Sequence, residues 1–196
     1  GEHSLALLRD GTVVAWGRNT AGQASVPPGL SHVVEIAAGD NHSLALLSDG
    51  TVAAWGDNEE GQTSVPSGLT HVVALAGGAW HSLALRSDGT VMAWGCCADQ
   101  RSLPPAFTQV AALSSAGTRN IALRNDGAVL VWDDYGSLDS TIPPGLAQVT
   151  AVASAGFHYL ALVGEGAPFV NAWPVDRAVF SGKETAFRVA ATGQLP

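Results

Sequence analysis

The chain copies itself at a fixed interval. The stretch HSLALLSDGTVAAWG at residues 42–56 recurs as HSLALLRDGTVVAWG from His3 and as HSLALRSDGTVMAWG from His81. A worn copy, RNIALRNDGAVLVWD, starts at Arg119, and a partial one, HYLAL, starts at His158. The steps are 39, 39, 38 and 39 residues, and Trp16, Trp55, Trp94 and Trp132 keep the same beat. A period of this length marks a solenoid, a propeller or an array, and it outranks every local motif because it covers most of the chain.

Each copy reads as strands. SLALL and TVAAW are short apolar runs separated by SDG, and Asp-Gly between two such runs is a hairpin signal because the turn needs the positive φ that glycine supplies. A third run precedes each copy after the first: HVVEIAAG, HVVALAGG, QVAALSSAG and QVTAVASAG. After each Trp comes a polar loop such as DNEEGQTSVPSG, whose Pro and Gly forbid a central strand but leave room for a short edge strand near TSVP. The runs are apolar on both faces, with Ala and Gly among Leu, Val and Trp. A one-sided sheet would alternate with polar residues. One repeat cannot bury both faces by itself, so it is copied until its neighbours bury them. The Asp-Gly hairpins favour antiparallel blades over the parallel coils of a solenoid. The expected fold is therefore all-β: propeller blades of at least three strands, about four repeats over residues 1–163, with the four Trp in equivalent buried positions.

The pattern HSLAL…DGTV.AWG followed by N..GQ resembles the repeat of the regulator of chromosome condensation family. Asn19, Gly22 and Gln23 carry the loop part in the first copy, and Asn58, Gly61 and Gln62 in the second, whereas the later two copies have lost it. The resemblance implies a seven-bladed ring, of which the repeats here would make an incomplete part. An open arc leaves terminal blade faces without partners, so the isolated chain is expected to self-associate. The short period and the SVPPGL linker look most like bacterial members, including the propeller-type β-lactamase inhibitor proteins.

After Val163 the texture changes. GEGAP at 164–168 reads as a linker. Residues 169–196 resemble the opening strands of an immunoglobulin-like domain, with Thr185, Phe187, Val189 and Ala191 alternating as a strand would. These residues are too few for a sandwich core.

The formal net charge is −8 and the one lysine is Lys183. Nucleic acid and anionic membrane need basic surface, so neither is expected as a partner. No apolar run is long enough to span a bilayer as a helix.

Several residue types invite a site. His3, His42, His81 and His158 share one repeat position, but a ring would hold them too far apart to share a metal. A repeated histidine at a strand start is expected to satisfy backbone groups in each blade. Asp10, Asp49, Asp88 and Asp126 each precede Gly, and one carboxylate per turn is far short of a calcium loop. Cys96 and Cys97 are adjacent, which strains a disulfide between them and favours free thiols. The NHS at Asn41 matches a glycosylation tripeptide that recurs by chance. No nucleophile elbow, phosphate loop or paired metal-ligand motif is present, so no catalytic residue, metal or cofactor is expected.

The strands stay constant between copies and the loops do not. By strand direction, the loop before each His and the loop after each Trp share one face, opposite the uniform Asp-Gly turns. Divergent loops on a rigid scaffold are where binding resides. The candidate binding residues are Arg18, Asp40, Asp57, Asn58, Glu59, Glu60, Trp80, Asp133, Asp134, Tyr135 and Phe157, an acidic face studded with aromatics. The expected function is non-catalytic binding of a protein or surface glycan, within an extracellular or cell-surface bacterial protein. The family resemblance also implies an alternative, a guanine-nucleotide exchange factor or chromatin adaptor. A third reading is an enzyme built on the propeller, which would need polar groups converging at the axis.

Overall fold

The computed structural model describes residues 1–96, 107–134, 137–138, 142–156 and 158–164, with two short strands beyond them. Among the described residues every regular element is a strand. They run in chain order: β1 His3–Leu7, β2 Val13–Gly17, β3 Val33–Ala38, β4 His42–Leu47, β5 Val52–Gly56, β6 Val72–Gly77, β7 His81–Arg86 and β8 Val91–Gly95. Then follow β9 Val110–Ala116, β10 Arg119–Arg124, β11 Val129–Asp133, β12 Val149–Ala155, β13 His158–Val163, β14 Phe169–Val170 and β15 Ala191–Thr192.

They form antiparallel blades. Three have three strands each, β3-β4-β5, β6-β7-β8 and β9-β10-β11, and two have two, β1-β2 and β12-β13. β14 pairs with β15 alone. The hairpin register repeats with the sequence: His42 faces Gly56 and Ser43 faces Trp55, just as His81 faces Gly95 and Ser82 faces Trp94. The Asp-Gly turn sets that register. Asp49 Oδ1 accepts from Thr51 N at 2.9 Å and from its hydroxyl at 2.6 Å, and Gly50 takes φ 80°. Asp10 and Asp88 do the same with Thr12 and Thr90. These hydrogen bonds hold the Asp10, Asp49 and Asp88 carboxyls below the usual carboxylate range. Residues 61–66 form turns and irregular chain, so no edge strand forms near TSVP.

Strands β3, β6, β9 and β12 lie side by side, and neighbouring blades join there. Asp40 N donates to Gly78 O at 3.0 Å and Ala79 N to Gly117 O at 2.7 Å. Leu75 N donates to the Glu35 carboxylate and Ser154 N to Ser114 Oγ. The middle strands carry the core. Leu44, Ala45, Leu83, Ala84, Ile121 and Ala122 are all at most 1% exposed. Burial on both faces is what the apolar runs without polar alternation demand.

One expectation fails at the edge. Trp55, Trp94 and Trp132 are buried, but Trp16 is 46% exposed. The reason is that each Trp is buried by the repeat before its own. Trp55 Nε1 donates to Gln23 O at 3.0 Å and Trp94 Nε1 to Gln62 O at 2.9 Å. Trp16 belongs to the first copy and has no earlier copy here to supply that cover.

Candidate functional site

The blade interfaces share a buried polar latch. Ser43 and Ser82 sit one residue after the repeated His and donate to the carbonyls of Gln23 and Gln62, each at 2.8 Å. With its proton committed, each hydroxyl oxygen accepts from the imidazole of the preceding repeat. His3 Nε2 lies 2.9 Å from Ser43 Oγ, and His42 Nε2 lies 2.9 Å from Ser82 Oγ. The histidines are therefore held as Nε2–H tautomers. Burial lowers the His42 pKa to about 4, assisted by the nearby His81 and His3, and burial is also the main cause lowering that of His3. These side chains satisfy the next blade rather than their own backbone, which corrects the expectation. The signal was in the sequence: His is followed by Ser in all three clean copies.

The N..GQ motif builds the other half of the latch. Asn58 Nδ2 donates to Ser64 Oγ and its Oδ1 accepts from Thr63 N, both at 3.0 Å, while Gln62 Oε1 accepts from Glu60 N at 3.0 Å. The loop is thereby shaped so that the Gln62 carbonyl meets Ser82 and Trp94. Gln23 and Gln62 are wholly buried.

The third interface departs from the pattern. Where Ser would stand, Asn120 takes His81 Nε2 on its Oδ1 at 2.7 Å. His81 Nδ1 then lies 3.0 Å from Asp134 Oδ1. Asp134 is 5% exposed. It thus leaves the candidate binding face: the acid that reads as a loop charge is drawn inward by a histidine of the preceding repeat.

The remaining candidates among the described residues lie at one end of the blades. Pairing of the β4 start with the β5 end brings the two loops together, and Asp57 N donates to Asn41 O at 2.9 Å. Arg18 N to Glu2 O, Cys96 N to Trp80 O and Asp134 N to Thr118 O repeat that bond. Arg18 is exposed and lies 3.4 Å from the Glu2 carboxylate. Asn58, Glu59, Glu60 and Trp80 are exposed, while Asp40, Asp57 and Asp133 are half-buried. Asp40 meets the Gly1 ammonium at 3.1 Å. Asp57 Oδ1 accepts from Glu59 N, and Asp133 Oδ1 from Ser137 N. Asp49 and Asp88 occupy the opposite end, in the turns that contact His71 and Gln109. Tyr135, Phe157 and Cys97 lie outside the described residues; Cys96 is half-buried.

Between the first strands lies a feature that sequence reasoning missed, a cavity of about 550 Å³ that reaches this loop end. Its lining includes Ile36, Asp40, Trp80, Ser115 and Ser154, with the backbone of Gly39, Gly77 and Gly117. No single repeat encloses it, so no local motif could announce it. Among the described residues no group of three His, Cys, Asp or Glu is placed to hold a metal ion.

Residues 1–23, 33–62 and 72–96 match the family model of the regulator of chromosome condensation (RCC1) repeat. The matched residues lie in the first three copies and make up under half of the chain. Solved structures share the fold. The chain superposes on human WBSCR16 with a TM-score of 0.64 at 23% identity, covering 82% of this chain and 57% of that one. Prp20p of Saccharomyces cerevisiae, described with its binding to Gsp1p and histones, gives 0.66 at 19% identity over 79% of this chain and 52% of that one. The receptor kinase CR4 ectodomain of Physcomitrella patens gives 0.66 at 20% identity over 83% and 47%. The chain thus spans about half the length of each of these proteins. A search of curated proteins finds no match.

Proposed function

We propose that this chain is a non-catalytic protein-binding module that holds its partner on the variable-loop end. One observation carries the reading. The loops that precede the repeated His and differ between repeats line the cavity, where Trp80 is 46% exposed and Asp40 also forms part of the wall. The constant residues of the repeat are occupied elsewhere, in turns and latches. A half-exposed Trp at a concave mouth suits a partner that offers an apolar side chain. The Prp20p and CR4 likenesses support a propeller scaffold and leave the partner open. We further place the module in an extracellular or cell-surface bacterial protein, next to an immunoglobulin-like segment. That placement rests on sequence resemblance alone.

Aromatic anchors of this kind contribute about 2 kcal/mol or more at an interface. Trp80→Ala is therefore expected to weaken capture of the partner at least tenfold while the melting temperature stays nearly unchanged. Asp49→Asn, at the opposite end, should change neither. Immobilised wild type and the two variants, offered the same protein extract, provide the comparison. Equal capture by Trp80→Ala, or loss of capture by Asp49→Asn alone, would move the site off the loop end.

A further inference from the structure

The third interface differs from the first two in its charge as well as its residues. His3 and His42 each give Nε2–H to a serine oxygen, and their buried Nδ1 atoms have no hydrogen-bond partner. A neutral ring suits that site, because a proton on Nδ1 would have no acceptor.

At the third interface both nitrogens of His81 face oxygen. Asn120 Oδ1 lies 2.7 Å and Ser115 Oγ 3.2 Å from Nε2, and Asp134 Oδ1 lies 3.0 Å from Nδ1. The Nδ1–Oδ1 pair is within ion-pair distance but outside hydrogen-bond geometry, so charge rather than direction governs it. The two side chains are 1% and 4% exposed. A neutral Nε2–H ring would turn the Nδ1 lone pair toward a carboxylate, with little water between them. A proton added to Nδ1 turns that repulsion into attraction, which a buried setting strengthens. Among the described residues, Asp134 is the one carboxylate within ion-pair distance of the ring. β9 and β10 offer the neutral Ser115 and Asn120, and β8 pairs its Gly95 with His81. β6 is followed there by Gly78, and β4 brings His42, whose ring burial keeps neutral.

We propose that the joint between the third and fourth repeats is a proton-fastened latch. His81 takes up a second proton, on Nδ1, and holds Asp134 as a buried imidazolium–carboxylate pair. The pair is complete where the ring is charged and Asp134 ionised, and it is lost as rising pH removes the ring proton. Mild acid thus tightens this joint, whereas acid loosens the one at His42. The latch stands whether or not the loop end binds a partner.

Asp134→Asn keeps the shape and removes the charge. Its cost is measured by chemical denaturation at about pH 5 and about pH 8, either side of the free histidine value. Comparison with wild type at each pH cancels the other titrating groups. The variant should lower the folded-to-unfolded ratio at least tenfold more at about pH 5 than at about pH 8. In a His81→Gln background that difference should vanish. Nuclear magnetic resonance of the wild-type rings gives a second reading that needs no variant to fold. At about pH 5, His81 should carry protons on both nitrogens and His42 on Nε2 alone. An equal cost of Asp134→Asn at both pH values, a difference that survives His81→Gln, or a singly protonated His81 at about pH 5 overturns the proposal.

Discussion

Replacing Gly78 by alanine is expected to cost about 3 kcal/mol of stability, from overpacking and a strained polar contact together. A Cβ at Gly78 would run into the His81 imidazole, overlapping Cε1 and Nδ1 and standing 2.6 Å from Nε2. The ring cannot retreat. It is 1% exposed, with Nε2 bound to Asn120 and Nδ1 against Asp134. The repeats already show this exclusion. Glycine stands three residues before the buried His42 and His81, whereas Ala116 precedes Arg119 and Ala155 precedes the exposed His158. A double-mutant cycle with His81→Ala in chemical denaturation makes the test. The alanine should cost much less once the ring is gone. An equal cost in both backgrounds would place the strain elsewhere.

Trp94→Ala is expected to cost about 3–5 kcal/mol, the usual range for a buried aromatic truncated to alanine. Its ring packs among Leu44, Leu46, Leu75 and Ala84, and its Nε1 bonds the Gln62 carbonyl. Trp16→Ala, at the same repeat position, should cost less than about 1 kcal/mol, as exposed sites do. Both are measured at a protein concentration low enough to keep the chain monomeric. Near-equal costs would mean that Trp burial comes from within the blade, and the interlocking of neighbours would lose its footing.

The contrast shows what a sequence can disclose. Strand spans, hairpin register and the Asp-Gly turns follow from local pattern, and the period orders them into blades. What a residue touches in the next blade is another matter. Trp16 and Trp55 sit in near-identical sequence, yet one is exposed, because burial depends on a neighbour tens of residues away. Asp134 read as a loop acid because its partner, His81, belongs to another repeat. Asn58 read as a binding residue, although its side chain shapes the loop that presents the Gln62 carbonyl. The loop end was legible from strand direction. The cavity at its centre was not, because five repeats contribute to its wall.

The constant residues of the repeat lock blades together, and under the proposed function the loops are what remains to bind. His42 tests that lock most directly, since it is the most conspicuous constant residue and is wholly buried in a latch. A free histidine titrates near 6.5, and this one is lowered to about 4. Its contribution to stability is complete above about pH 6.5, where both states are neutral. It is lost as pH falls toward about 4, because the unfolded chain takes up the proton first. The whole difference amounts to about 3 kcal/mol. The measurement is the pH titration of the His42 ring by nuclear magnetic resonance. A neutral Nε2–H imidazole is expected down to about pH 4. A ring that titrates near 6.5, or that carries its proton on Nδ1, would contradict it.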